Sequence, residues 1–256
     1  MLGILSRDLT LILLTAYVDV GFAGFYALAR VAQEFPVNLL SGSLGTIFYG
    51  EASRRSKIKF MGTQVAEQAR SICKLLFVFV LPSYLIVSAW APEIFQFIFG
   101  KDWKTSGVLF LILLPVSLFS LLSCWLNRTF EIFKLQKVSF KIQLIWEITG
   151  FIIGGVLLIL GINLFIVVAV MISIFSLVPI SSSYFSFRWI GVDKKQITVL
   201  LTVMICFSAG NALISGLYLM DDFSNVPSYW LFSTAGIFCF LGLACFRTSK
   251  FKTVLG

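Results

Sequence analysis

Histidine is absent from this 256-residue chain, and charged residues make up only 12% of it. The chain therefore lacks the commonest metal ligand and the commonest general base. Its five cysteines are scattered and form no C-x-x-C pair, so we interpret them as small packing residues and not as a disulfide framework or a metal site. We expect no metal and no cofactor.

The motifs of nucleotide-driven and hydrolytic chemistry are also missing. The sequence contains no Walker A loop, no G-x-S-x-G, no D-x-D motif and no pair of carboxylates at catalytic spacing. We therefore predict that the protein is not an enzyme. Any transport that it performs would be driven by an ion gradient or by the gradient of its substrate.

Long apolar stretches dominate what is present. Hydrophobic residues make up 59% of the chain, and the mean hydropathy is +0.97. A bilayer core about 30 Å thick needs roughly 20 helical residues. Eight stretches reach or approach this length, which predicts an all-α, polytopic membrane protein. The predicted spans are Leu2–Val20, Gly24–Tyr49, Leu75–Ala91, Gly107–Leu126, Ile142–Leu160, Leu164–Phe187, Ile197–Leu219 and Tyr229–Phe246.

The positive charge falls on alternate connections between these spans. Basic residues follow the second, fourth, sixth and eighth spans, whereas the opposite connections carry only Lys101 and Lys104. By the positive-inside rule both termini are cytoplasmic, and we expect a multi-pass protein of the bacterial inner membrane. The net charge of +8 then reflects topology and contact with anionic lipids, and it does not indicate nucleic acid.

Polar residues interrupt the second span. Arg30, Glu34 and Asn38 recur at i, i+4 and i+8 and share one helical stripe, with Pro36 between them and Gly42 beyond. An ionised group at the bilayer centre costs roughly 2.5–3.5 kcal/mol on insertion scales, so this stripe should face protein or a cavity. One interpretation is a cavity-lining helix hinged at Pro36 and Gly42. The other is an Arg30–Glu34 pair that only holds helices together.

The fifth predicted span carries a possible second polar site at Glu147. Gly150 and Gly154 follow on the same face as a G-x-x-x-G step, which permits close helix approach. Glu147 should therefore point at a neighbouring helix, with Lys141 or another basic group as its partner. The alternative is a carboxylate that snorkels to the cytoplasmic interface.

Other features are interpreted as interfacial. Residues 50–74 form a basic connection with apolar residues at helical spacing, which predicts an amphipathic helix in the membrane interface. Asn127 and the serines 181–183 are interpreted as solvated ends of spans. The tryptophans lie near predicted span ends and fit an aromatic belt, with stacking on a sugar as the alternative. They are Trp90, Trp103, Trp125, Trp146, Trp189 and Trp230.

Two segments resemble a known family. Gly24–Arg55, GFYALARVAQEFPVNLLSGSLGTIFYGEASRR, is similar to the segment that opens the second half of polysaccharide flippases, in which G-x-Y, L-A and an arginine are followed by a proline, a phenylalanine and an E-A-S-like end. Ala91–Gly107, APEIFQFIFGKDWKTSG, resembles their outer loop with its F-G-x-x-W-x-x-x-G pattern. The chain therefore resembles the O-antigen and exopolysaccharide translocases of the MOP exporter superfamily.

The resemblance implies a fold and a role. Such proteins move undecaprenyl-pyrophosphate-linked oligosaccharides to the periplasmic leaflet by alternating access, using two six-helix lobes around a cationic cavity. Residues 1–187 would correspond to the second lobe, with a clipped first helix and with the amphipathic connection 50–74. Residues 188–256 would be two extra C-terminal helices and a basic tail. The resemblance makes Arg30 the first candidate for lining this cavity, and Tyr26, Glu34 and Asn38 are the other candidates on the same span.

The resemblance also implies partners. These are the lipid-linked oligosaccharide, membrane lipids, a polysaccharide polymerase, and either a missing N-terminal lobe or a second copy of the chain. Three alternatives remain open: an exporter of drugs or small molecules from the same superfamily, a membrane enzyme of glycan assembly, and a non-transporting component of a glycan-assembly complex. The short outer connections and the absence of histidine disfavour the enzyme.

Overall fold

The computed structural model describes residues 10–13, 15–16, 20–56, 61–76, 80–192, 194, 197–198, 201–202 and 205. In this part of the chain the regular structure is helical. The predicted spans Leu2–Val20, Ile197–Leu219 and Tyr229–Phe246 lie wholly or largely outside it. The elements are α1 (Val20–Ser56), α2 (Met61–Leu75), α3 (Leu81–Phe99), a 3₁₀ turn (Lys101–Trp103), α4 (Lys104–Leu126), α5 (Arg128–Ile132), α6 (Gln136–Ile159), α7 (Leu164–Phe175) and α8 (Leu177–Ile190).

Three stretches of the described residues are long and apolar enough to cross a membrane. They are Lys101–Ile132, Gln136–Ile159 and Leu164–Ile190, against the eight spans that the sequence predicted. The second predicted span forms α1, but its polar stripe lowers the hydropathy below that of these three stretches. The third forms α3, where proline, glutamate and glutamine in the last two turns have the same effect.

Helix α4 forms the centre of the bundle. Its sequence is apolar on nearly every side, which is typical of a helix buried within protein, and it packs against α1, α3, α7 and α8. Of the most apolar part of Lys101–Ile132, 78% is buried, against 17% for Gln136–Ile159. Helix α6 therefore lies at the edge, where Ile145, Ile152 and Ile159 are exposed and suited to lipid.

Helices α1 and α4 run parallel. Phe25 packs edge-on against Trp103 with ring centroids 5.5 Å apart, and Phe48 packs against Trp125 at 5.1 Å. The early residues of α1 therefore lie beside the start of α4, and the late residues of α1 lie beside its end.

Trp125 does not belong to an aromatic belt. Its side chain is 0% exposed and packs between Phe48 and Phe187. The belt interpretation is therefore wrong for this tryptophan. The reason is that α1 and α8 cover the inner end of α4. A tryptophan near the end of this span is therefore buried and not at the membrane interface.

Helix α2 forms as the sequence predicted, but its apolar face packs on the bundle. Val65, Ala69 and Cys73 are buried, and α2 contacts α1 and α8. Glu67 and Ser71 are exposed on its other side. The apolar stripe of α2 therefore packs on protein and not on lipid.

The outer segment of α3 contains a break and a close helix contact. Trp90 has non-helical dihedral angles just before Pro92, and Gly100 ends the helix with φ 105°. A Cβ atom at Gly107 of α4 would lie 2.7 Å from the Ala91 carbonyl oxygen and would also collide with the Pro92 backbone. The glycine therefore allows the two backbones to touch, and it fixes α3 against the start of α4.

Candidate functional site

A cavity of about 300 Å³ lies among α1, α4, α6 and the α7–α8 pair. Each helix presents residues at helical spacing to it, because positions three and four apart share a face. The wall is a mixture of charged, amide, hydroxyl and apolar groups. It comprises Thr10, Tyr26, Arg30, Gln33, Glu34, Val37, Asn38, Leu113, Val116, Ser120, Ser123, Cys124, Asn127, Ser139, Gln143, Glu147, Ile172, Phe175, Val178, Pro179 and Ser182.

All four residues that the sequence nominated on α1 lie in this wall: Tyr26, Arg30, Glu34 and Asn38. The Arg30 Nε atom donates to the Glu34 Oε1 atom at 3.1 Å, and the two side chains are only 16% and 24% exposed. Each charge compensates the other, because a largely buried charge without a partner destabilises the fold. The pair and the cavity therefore occupy the same face of α1.

The middle of α1 is anchored to α3 and α4. The Ser117 hydroxyl donates to the Gln33 carbonyl oxygen at 2.8 Å, and the Ser117 and Tyr84 oxygens are 2.5 Å apart. Since the serine has a single proton and gives it to Gln33, Tyr84 is the donor in the second bond. Pro36 cannot donate to the Ala32 carbonyl oxygen, so the bond from Ser117 holds α1 in place beside the turn that the proline weakens.

The two hinge residues lie within a continuous helix. α1 contains Pro36 in its interior, and a Cβ atom at Gly42 would meet nothing within 4 Å. The Gly42 carbonyl oxygen accepts a hydrogen bond from the Thr46 hydroxyl at 2.8 Å. A hinge at these positions stays a prediction.

Glu147 contributes a second carboxylate to the same cavity from α6. Its Oε1 atom accepts a hydrogen bond from the Gln143 Nε2 atom at 2.7 Å. The expected partner Lys141 is exposed instead, because a residue six positions earlier lies on a different face of the helix from Glu147. Glu147 therefore faces the cavity and is held by an amide.

The glycine step of α6 packs on α7 as the sequence predicted. A Cβ atom at Gly150 would collide with the Phe175 ring, and one at Gly154 would collide with the Met171 side chain. Trp146 adds a hydrogen bond from its Nε1 atom to the Ser181 hydroxyl at 3.2 Å. These contacts show that α6 runs antiparallel to α7 and α8.

The cavity is closed at one end and open at the other. At the closed end Tyr26, Leu113 and Ile172 are 3%, 2% and 6% exposed. At the opposite end Asn38 and Asn127 are exposed. We call the open end the mouth; it lies where α4 ends and α6 begins.

Some lining residues were missed from the sequence. Asn127 and Ser182 were interpreted as solvated helix ends, yet both line the cavity, together with Ser123 and Gln143. The spacing carried a signal that could have found them. Ser120, Ser123 and Asn127 recur at i, i+3 and i+7, and Ser139, Gln143 and Glu147 at i, i+4 and i+8.

The chemistry of the wall suits binding. It offers one guanidinium, two carboxylates and several neutral donors and acceptors. Within the described residues no group of three or more histidine, cysteine or acidic side chains is placed to hold a metal ion. An anion with attached hydroxyl-rich groups would find partners of both kinds here.

Comparison with known proteins finds a family match for the N-terminal part of the chain. Residues 1–108 match the family described as "Polysaccharide biosynthesis protein", which is a family of the flippase type. Both motifs quoted above lie within the matched residues, so the resemblance is confirmed there. No curated protein matches the chain, and no solved structure matches it.

Proposed function

We propose that this protein takes part in moving undecaprenyl-pyrophosphate-linked oligosaccharides across the bacterial inner membrane for polysaccharide or O-antigen synthesis. The observation that carries the proposal is the cavity, which brings Arg30 and Glu34 of α1 and Glu147 of α6 together beside three stretches that are long and apolar enough to cross a membrane. Charged groups within membrane segments mark substrate and ion pathways. The family match over residues 1–108 supports polysaccharide synthesis as the context.

Arg30 is the proposed contact for the pyrophosphate. A guanidinium forms paired, charge-assisted hydrogen bonds with phosphate oxygens, and such bonds are about twice as strong as neutral ones. In the structure Arg30 is held by Glu34, one turn away on the same helix. Phosphate would compete with this carboxylate, so that Glu34 compensates the charge of Arg30 in the empty site and sets how easily the ligand is released.

The direction of the mouth is consistent with loading from the cytoplasmic leaflet. The positive-inside rule predicts that α1 and α4 run from the outer to the inner face. Asn38 and Asn127, at the mouth, would then lie towards the cytoplasm. A lipid-linked glycan made in the cytoplasm could enter the cavity through this mouth while its lipid tail stayed in the bilayer.

The proposal includes a second half. Alternating access generally requires two repeats that rock about a central site. Residues 1–187 would supply one lobe and residues 188–256 two further helices. The other lobe would be an N-terminal half or a second copy of the chain. Apolar side chains exposed on α1, including Val31, Phe35 and Leu39, suit contact with lipid or with such a lobe. A polymerase that consumes the translocated unit is a further proposed partner.

Reconstitution in proteoliposomes tests the function. Radiolabelled lipid-linked oligosaccharide, extracted from the cells that express the protein, is placed in vesicles, and its accessibility to a membrane-impermeant glycosidase is followed over time. We expect protein-dependent transfer between leaflets. Protein that accumulates dyes without moving the glycolipid would instead support a small-molecule exporter, and protein that does neither would support a non-transporting component.

A further inference from the structure

The polar lining of the cavity is divided by level. Arg30, Glu34 and Glu147 lie in its middle, whereas Asn127, Ser139 and Gln143 lie towards the mouth and carry no charge. The hydrogen bond from Ser117 to the Gln33 carbonyl places the charged stripe of α1 beside the middle of α4. Asn127 is ten residues further along α4, which is about 15 Å at 1.5 Å per residue.

Contacts of α6 and α8 place the remaining groups at the mouth. The Ser186 hydroxyl donates to the Leu126 carbonyl oxygen at 3.3 Å, so this part of α8 is level with the end of α4. Trp146 is bonded to Ser181, and α6 runs the opposite way to α8. Gln143 and Ser139 therefore lie progressively nearer to the mouth than Trp146.

The chemistry of the mouth matches a carbohydrate. A carboxamide carries two donors and an acceptor, and a hydroxyl carries one donor and two acceptors, which complements the vicinal hydroxyls of a sugar. Asn127 and Ser139 supply such groups without a charge, and Gln143 uses an N–H on Glu147. Neutral groups of this kind bind a neutral ligand without the desolvation cost that a buried ion imposes.

We propose that Asn127, Ser139 and Gln143 form a saccharide subsite that binds the sugar nearest to the pyrophosphate, while Arg30 holds the pyrophosphate deeper in the cavity. This inference rests on the proposed function. It adds that the pyrophosphate binds deeper in the cavity and that the glycan lies towards the mouth. The cavity volume of about 300 Å³ is at the lower end of the roughly 300–1,000 Å³ of ligand pockets. The cavity therefore has room for the pyrophosphate and the sugar next to it, and the rest of the glycan extends out of the mouth.

Two lipids that differ only in the glycan test the subsite. The probes are undecaprenyl pyrophosphate and the lipid-linked oligosaccharide extracted from the expressing cells, and binding to the purified full chain in nanodiscs is titrated. Asn127→Ala and Gln143→Met each remove neutral hydrogen bonds, so we expect each to weaken binding of the glycolipid by about three- to tenfold. Binding of undecaprenyl pyrophosphate should be unchanged, whereas Arg30→Gln should weaken binding of both lipids.

The matched control is Gln136→Met. Gln136 is the exposed first residue of α6 and does not line the cavity, so this variant should bind both lipids as the wild type does. Glu147→Gln controls for the loss of the Gln143 contact. The subsite is overturned if Asn127→Ala and Gln143→Met weaken binding of both lipids equally, if they change neither, or if Glu147→Gln reproduces the glycan-specific loss. Wild-type protein that binds neither lipid would overturn the proposed function and this inference with it.

Discussion

Arg30 combines two demands on a single side chain. Its charge is largely shielded from solvent and therefore requires a partner, which Glu34 provides at 3.1 Å. The same charge is useful only if that partner can be exchanged for a ligand. Both side chains are largely buried, and electrostatic interactions strengthen as water is excluded. Exchanging Glu34 for a ligand would therefore change the energy of Arg30 by more than it would at an exposed site.

Replacement of Arg30 tests this account at the level of one side chain. In Arg30→Ala we expect translocation of the lipid-linked oligosaccharide to fall by about ten- to a hundredfold, since a hydrogen bond to a charged group contributes about 1.5–3 kcal/mol. Membrane insertion should be unaffected. Arg188→Gln, at an exposed arginine of α8 that does not line the cavity, is the control. Normal transport in Arg30→Ala, with a defect only in Glu34→Ala, would refute the cavity assignment.

The charged members of the site could be found in the sequence, and the neutral ones could not. Arg30 and Glu147 are conspicuous because an ion in an apolar helix requires a protein partner or a cavity. Asn127 and Ser182 gave no such signal, since an uncharged polar residue near a helix end looks the same whether it faces solvent or a cavity. The packing of α4 against α1 and α8 decides between the two, and a single sequence does not encode that packing visibly.

At the scale of elements, α6 is held mainly through its glycine face. Gly150 and Gly154 receive Phe175 and Met171 of α7, and the opposite side of α6 exposes apolar residues such as Ile148 and Ile152. The G-x-x-x-G step was sufficient to predict a close approach. It did not identify α7 as the partner, because many helices can occupy such a groove.

Neighbouring glycines provide a matched test of this packing. A methyl group at Gly154 would collide with Met171, whereas one at Gly155 would meet nothing within 4 Å. We expect Gly154→Ala to destabilise the protein by about 1–3 kcal/mol through overpacking. Gly155→Ala should stabilise it by up to about 1 kcal/mol through helix propensity. Thermal unfolding in detergent measures both, and equal melting temperatures for the two variants would contradict the contact.

At the scale of the whole molecule, orientation in the membrane decides how the proposed site would be loaded. The basic connections predict that the mouth faces the cytoplasm, and the proposed loading depends on this direction. The spans near both termini, which the sequence also predicted, lie outside the described residues, so their place around the bundle stays a prediction.

Cysteine labelling determines the orientation. In a background without the native cysteines, Lys101→Cys should react with a membrane-impermeant maleimide added from the periplasmic side. Lys194→Cys should react only after the cytoplasmic side is opened. Both lysines are exposed, so access will depend on sidedness and not on burial. The reverse pattern would invert the mouth and the proposed direction of loading.

Phe175 joins two of these scales. Its ring fills the groove at Gly150 and also forms part of the cavity wall. The contact between α6 and α7 and the wall of the cavity therefore use the same ring. A shift of these two helices would change the shape of the cavity beside Glu147. A variant that alters the fit at Gly150 should change both the movement of the helices and the ligands that the cavity accepts. Ligand selectivity and helix movement are therefore coupled at this position.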